Sequence, residues 1–402
     1  MASEHALGAV ILAALVLYAL SGGADYGGGM WDLLASGPRA RRQREAIEHA
    51  IGPIWEANHV WLILVIVVVF SAFPPAFAAI MTALHIPMSA LLVGIVLRGS
   101  AFIFRKYDSG DDVVHRRWST LFGAASFFTP FVLGLCLGAL ASGDIRVIDG
   151  RLASGFFAGW TRPFAMACGL FALGLFAFLA ATYLTVDTEA EPELQEDFRA
   201  RALVSGLLLA PAALLTFLLA RTGAPVIFAR LTSWWGPLLV AATSVSALGA
   251  LVALWRRQFR WARAAAVTQV TLILIGWGLA QFPHLVVPDV TLMNAATVAS
   301  TQHALLTALA VGAVVLFPAF AHLFYVFKRR PQPRASGRRA VAFGLLVVGV
   351  TAALMLASAG RAPQRAPEGC RGRIVIVRPL HGAPLECVCE AGTLSACFSP
   401  GP

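Results

Sequence analysis

Runs of about twenty apolar residues, the length of one bilayer crossing for a helix rising 1.5 Å per residue, recur along almost the whole chain. Nine stand out, at roughly 6–24, 54–73, 78–97, 120–141, 157–183, 202–220, 234–255, 262–282 and 304–327, and a tenth candidate lies at 341–359. Between them the pattern breaks at Pro, Gly and clustered charges, as connections that must reach water should. The pattern therefore predicts an all-α integral membrane protein that crosses the bilayer many times.

Charge sets the orientation. With the amino terminus facing outward, the connections at 31–50, 98–117, 184–201, 255–263 and 328–340 are cytoplasmic. Apart from Arg98 they hold twenty Arg and Lys, whereas the opposite connections hold Arg146, Arg151, Arg162, Arg221 and Arg230. That asymmetry follows the positive-inside rule. Composition agrees: 58% of the 402 residues are hydrophobic and 13% charged, with a mean hydropathy of +0.74. A net charge of +10 would suggest nucleic acid as the partner of a soluble protein. Here topology accounts for it, and no nucleic-acid partner is expected. No basic stretch precedes residues 6–24, so this segment is expected to remain as the first helix rather than be cleaved as a signal.

Cysteine usage separates the end of the chain from the rest. Cys136 and Cys168 lie within apolar runs and read as small core residues. Cys370, Cys387, Cys389 and Cys397 fall in the last forty residues together with His381, without the paired CxxC knuckles of a structural zinc site. If the tenth segment crosses, this tail faces outward, where disulfides persist. It is expected to be mostly disordered, and no metal site is expected.

The informative residues are the polar ones at the margins of apolar runs. In "GGADYGGGMWDLL" Asp25 sits among Gly22, Gly23, Gly27, Gly28 and Gly29 where the first crossing is expected to end. An ionised carboxylate near hydrocarbon costs several kcal/mol unless it is paired, hydrated or protonated. The plainer reading is a solvated acid at a flexible helix end. In "GPIWEANHVWLILVIVVVFSAFP" Pro53 can open a helix, and Trp55, Glu56, Asn58, His59 and Trp61 crowd its first turns before a nearly aliphatic run. An interfacial aromatic belt explains the two tryptophans, but not an acid, an amide and an imidazole beside them. Such groups can relay protons or bond a buried polar partner. In "LRGSAFIFRKYD" Arg105 and Lys106 read as snorkelling anchors. Arg98 lies nearer the hydrocarbon, suited to pairing with an acid or an anionic cofactor group.

Together these stretches resemble subunit II of the cytochrome bd quinol oxidases. "GADYGGG" matches the family's GFDxGxG-like signature through Asp25, Gly27 and Gly29. Pro53, Trp55, Glu56, Asn58, Val60 and Trp61 match P-x-W-[D/E]-x-N-x-V-W, followed by Ala72, Phe73 and Pro74, and Arg98 and Arg105 match the next basic positions. The likeness covers roughly residues 1–330. It implies nine transmembrane helices as two pseudo-symmetric four-helix bundles plus a peripheral helix: 1–142 as the first bundle, 143–330 as the second with the extra helix, and 331–402 as an extension.

The resemblance further implies a heterodimer with a haem-bearing subunit I in the bacterial inner membrane, where quinol is oxidised and dioxygen reduced to water. Haem b and haem d would belong to the partner, with none bound wholly by this chain. A structural quinone and a small accessory subunit stay open. Asp25 and Glu56 would map to a proton pathway, Trp61 and Asn58 to oxygen access or haem-site support, and Arg98 to support of the haem site. His49, His59, His85, His115, His284, His303 and His322 are scattered and read as core groups rather than axial ligands. The sequence departs from the family at Ala24, His59 and Ser119, the last at a position often acidic. A secondary transporter is the alternative from another class, since charged residues at broken helices are also its signature. A scaffold whose polar clusters only lock helix packing is a third.

Overall fold

The computed structural model describes residues 2–52, 55–107 and 112–328, and the backbone of three later strands. The first helix, α1 (Ala2–Leu33), runs unbroken through the glycines around Asp25. Asp25 thus lies in the interior of the helix and not at its end, eight residues or about 12 Å before Leu33. Where water is absent a helix cannot stop without stranding backbone N–H and C=O groups. The glycines serve close approach instead: a Cβ on Gly27 would lie 2.0 Å from the Phe176 carbonyl oxygen, and one on Gly29 2.1 Å from Ser126 Oγ.

After α1 comes the amphipathic α2 (Ala40–Ile51), which buries Gln43, Ile47 and Ile51 at successive fourth positions. Next are α3 (Trp55–Ala72) and α4 (Pro74–Ala83), bent by 119° at Phe73. A residue preceding proline is steered out of the helical region, and Phe73 adopts φ −134°, ψ 59° while Pro74 opens the next helix. The third crossing begins later than the apolar run at 78–97 suggested, because α4 occupies its start. It is α5 (His85–Tyr107), and it continues past both Arg98 and Arg105.

The long α6 (Asp112–Ser142) leads to a hairpin of β1 (Val147–Ile148) and β2 (Arg151–Leu152). Its two-residue turn has φ +50° at Asp149 and +71° at Gly150, as a tight antiparallel turn requires. Then follow α7 (Pro163–Asp187), α8 (Pro192–Gly223), the short α9 (Pro225–Leu231), α10 (Gly236–Trp255) and α11 (Phe259–Gln281). A second small hairpin, β3 (His284–Val286) with β4 (Val290–Thr291), precedes α12 (Ala299–Lys328).

Eight of the described helices are long and apolar enough to cross a membrane, and the bent pair α3–α4 makes up to nine if taken as one crossing. The hub is α1. Its first half contributes Leu7 and Ile11 to a core with Val68, Val69, Leu135 and Val286, and its second half contributes Tyr18, Tyr26 and Met30 to a core with Phe176, Phe178, Leu179 and Val270.

The tail is a separate unit from Lys328 onward. It contains β5 (Ile374–Val377), β6 (Leu385–Glu390) and β7 (Thr393–Phe398) in one antiparallel sheet, with Cys387 opposite Cys397 in register. Apolar β-branched residues in "IVIV" suit a strand, so these segments depart from the disorder expected of the tail. The tenth apolar segment at 341–359, Cys370 and His381 lie outside the described residues.

Candidate functional site

Two carboxylates on α1 and two arginines on α5 meet in two rungs. Asp25 and Asp32 are seven residues apart, as are Arg98 and Arg105, so each pair occupies one helix face about 10.5 Å apart along the axis. At the first rung Arg98 Nη1 donates to Asp25 Oδ2 at 3.0 Å and Nη2 to Oδ1 at 2.7 Å. Nη2 also reaches the Asp25 carbonyl at 3.1 Å, and Nε donates to Ser126 Oγ of α6 at 3.0 Å. Asp25 is 3% exposed and Arg98 2%. The forked geometry satisfies both charges where water cannot.

At the second rung Arg105 Nη1 donates to Asp32 Oδ2 at 2.8 Å, and Arg105 Nη2 stands 3.7 Å from Glu48 Oε2 of α2. Arg105 is buried, so it is not the snorkelling anchor its position beside Lys106 suggested. With α5 extending to Tyr107 and α2 folded over the end of α1, the guanidinium finds an acid before it finds water. The side chain of Lys106 lies outside the described residues. Phe122 of α6 lies between the rungs, its ring centroid 4.9 Å from each guanidinium carbon. Tyr26 lies under Arg98 at 4.7 Å and its hydroxyl is 3.3 Å from that of Tyr18. Cations over aromatic faces gain further where they are desolvated.

The second polar group sits in the first turns of α3. Asn58 is 1% exposed, and neither its Oδ1 nor its Nδ2 has a hydrogen-bond partner. His59 Nδ1 lies 3.2 Å from the Trp55 carbonyl while Nε2 is buried without a partner, and the ring meets Tyr18 edge-on at 6.5 Å. Buried polar atoms are nearly always satisfied, so this end of α3 calls for water or a polar group from elsewhere. Glu56 occupies the same turn, but its side chain lies outside the described residues. Trp61 is buried against Phe317 and Phe320 of α12, at 6.0 and 5.2 Å between centroids.

Of the residues singled out in the sequence, Asp25 and Arg98 come together directly. Asn58 and Trp61 share a helix with Glu56 but do not join that pair. Asp32, Ser126, Phe122 and Tyr26 escaped sequence reasoning, although the matching seven-residue spacings 25/32 and 98/105 signal two facing stripes. Among the described residues no three His, Cys, Asp or Glu side chains gather as a metal-holding group. An apolar cavity of about 350 Å³ lies elsewhere, between α1, α3, α6 and α11, with Gln281 and His284 at its margin. Gln281 Oε1 and His284 Nδ1 are buried there without partners.

Buried, compensated charges inside a bundle of helices long and apolar enough to cross a membrane define a polytopic membrane protein with charged groups at its core. A family profile described as cytochrome bd terminal oxidase subunit II matches residues 4–327, and the chain belongs to that family. A Bacillus subtilis protein described as a cytochrome bd menaquinol oxidase subunit II is 24% identical over 329 residues, covering 80% of this chain and 94% of the relative. The Escherichia coli K12 cytochrome bd-I ubiquinol oxidase subunit 2 is 28% identical over 200 residues, 48% of this chain and half of the relative's length. In fold, the chain is similar to a chain of the bd oxidase from Geobacillus thermodenitrificans, with a TM-score of 0.69 at 22% identity, covering 81% of this chain and 99% of that one. Family membership does not favour the secondary-transporter alternative. It places the chain beside a haem-bearing subunit I in a membrane oxidoreductase complex.

Proposed function

We propose that this subunit delivers protons to, and stabilises, the haem site of its partner in a bacterial inner-membrane quinol:oxygen oxidoreductase. In this reading haem b and haem d lie in subunit I, electrons pass from quinol to dioxygen there, and this chain carries no haem of its own. The observation that carries the reading is the buried pair that Asp25, in the interior of α1, makes with Arg98 of α5. A charge pair held at that depth is costly to assemble and is seldom placed without a task. A proton reaching it converts Asp25 to the neutral acid and leaves one net positive charge on Arg98.

Glu56, in the first turn of α3 beside the unsatisfied Asn58 and His59, is the second relay group. Arg98 and Asn58 act as supports of the haem site, and Trp61 as the wall of an oxygen route closed on one side by α12. The polar margin of the apolar cavity suits the head of a structural quinone, with its tail among aliphatic side chains. A small accessory subunit and the quinol pool complete the partners.

The test is Asp25→Asn and Glu56→Gln in the complex assembled with subunit I. Oxygen uptake per haem is expected to fall by about tenfold or more, in line with the usual contribution of a positioned proton-transfer group. Wild-type turnover in both variants removes the proton role, and reduced assembly at normal turnover per haem supports a scaffold instead.

A further inference from the structure

We propose that Asp32 and Glu48 form the mouth through which protons enter the rungs from the arginine-rich face. The proposal rests on the reading of Asp25 and Glu56 as proton-pathway groups and adds two residues to it. Asp32 is 1% exposed and its Oδ2 is held by Arg105, yet Oδ1 has no partner. An unpaired carboxylate oxygen in so buried a place calls for a donor, and a water is the smallest. Glu48 supplies the way out: its side chain is 41% exposed on α2, and its Oε2 is 3.7 Å from the same Arg105.

The charged groups facing Asp32 come from each neighbouring element. Arg105 approaches from α5. Arg44 approaches from α2, donating from Nε to the Asp32 carbonyl at 3.3 Å and from Nη2 to that of Ala35 at 3.2 Å. Glu48, also on α2, faces Arg105 from the solvent side. Two arginines beside two acids keep the mouth near neutrality, and a single added proton therefore meets no uncompensated charge of its own sign beyond one unit. Asp25, by contrast, has each of its oxygens already engaged by Arg98, so neither is left wholly without a partner.

In the proposed transfer, Glu48 takes a proton from hydronium at the surface, leaving a water, and passes it through an intervening water to Asp32 Oδ1. Glu48 returns to the carboxylate, Asp32 becomes the acid, and no electron moves. Onward passage to the Asp25 rung spans about 10.5 Å, several times a hydrogen-bond length, and needs further water.

The experiment uses the whole chain assembled with subunit I. Asp32→Asn is expected to lower oxygen uptake per haem about tenfold, with unchanged haem absorbance and a larger solvent isotope effect in D2O, while Asp32→Glu restores most of it. Glu48→Gln, at a half-exposed site, is expected to assemble normally and to lose turnover most at alkaline pH, where protons are scarce. Wild-type turnover and isotope effect in Asp32→Asn overturn the proposal. If Asp32→Asn does not assemble, a wild-type pH profile in Glu48→Gln overturns it equally. Slowed Asp25→Asn and Glu56→Gln beside an unaffected Asp32→Asn and Glu48→Gln would move the mouth elsewhere and leave the parent reading intact. Wild-type turnover in all four would defeat both.

Discussion

At the Asp25 rung both carboxylate oxygens and all three guanidinium nitrogens of Arg98 are engaged, Nε donating to Ser126. At the Asp32 rung one carboxylate oxygen is free and the arginine is shared with an acid that touches solvent. The residue types, helices and spacing are the same. What differs is closure: one pair is sealed inside the bundle by α6, while the other lies under α2, where a proton or a water can reach it. The sealed pair can receive a proton only from within the bundle, whereas the open one can exchange with water at the surface.

Removing the arginines tests that contrast most severely. Arg98→Ala leaves the Asp25 carboxylate without its counter-charge in the interior, a change that typically costs about 3–5 kcal/mol. The yield of assembled complex and its thermal midpoint should both drop sharply. Arg98→Lys should recover only part, since one ammonium cannot grip two carboxylate oxygens, a carbonyl and Ser126 together. Arg105→Ala should cost less, because water can approach Asp32 from the side of Glu48. An Arg105→Ala loss equal to or larger than that of Arg98→Ala would erase the difference between the rungs.

The seal can also be pressed from the glycine side. A methyl group on Gly29 would meet Ser126 Oγ at 2.1 Å, and Ser126 is the residue that receives Arg98 Nε. Gly29→Ala is therefore expected to destabilise by about 1–3 kcal/mol through overpacking, measured as a lower denaturation midpoint of the complex. Gly249→Ala in α10 is the control: nothing lies within 4 Å of its Cβ, and alanine is the better helix former by up to about 1 kcal/mol. Equal losses at the two positions would show that helix glycine content, and not the contact with Ser126, sets the cost.

These contrasts also show what the amino-acid pattern could and could not disclose. The crossings were legible because each needs an apolar run of bilayer length. The bend at Phe73–Pro74 carries its own mark, since proline steers the residue before it out of a helix. The full length of α1 was hidden, because Gly22 to Gly29 around an aspartate look like a helix ending, and only the hydrocarbon surroundings and the close neighbours Phe176 and Ser126 explain why the helix continues. Arg105 looked like a surface anchor since its neighbour Lys106 and the following Tyr107 and Asp108 suggest an interface. Its burial depends on α2 and on Asp32, both distant in sequence. The unsatisfied Asn58 and Asp32 Oδ1 were beyond any reading of sequence, because a missing partner is a property of three-dimensional packing.

The smallest expected effect lies on the opposite face, in the open surface counterpart of the buried rungs. Arg146 Nε donates to Asp289 Oδ2 at 2.8 Å and Nη2 to Oδ1 at 3.1 Å, with the Val147 amide donating to Oδ2 at 2.8 Å. The hydrogen bond from Arg146 is the largest influence; against the opposing desolvation, and with the Val147 amide and the charge of Arg146 adding to it, it holds the Asp289 carboxyl below the usual carboxylate range. A carboxylate depressed in the folded state contributes stability that is complete above its unfolded value, about 3.9, and is lost as pH falls through the lower folded value. Because Arg146 is half exposed, solvent screens the pair and its worth to the whole molecule is small. The local effect is still readable: protection of the Val147 amide against hydrogen exchange, corrected for intrinsic rate, should be flat near neutrality and decline as pH drops below 4. Asp289→Asn should show weaker protection with no such decline. If the variant and the parent lose protection over the same acid range, the carboxylate is not what anchors the β1–β2 hairpin to the β3–β4 turn, and the resemblance of this surface pair to the buried rungs is one of shape alone.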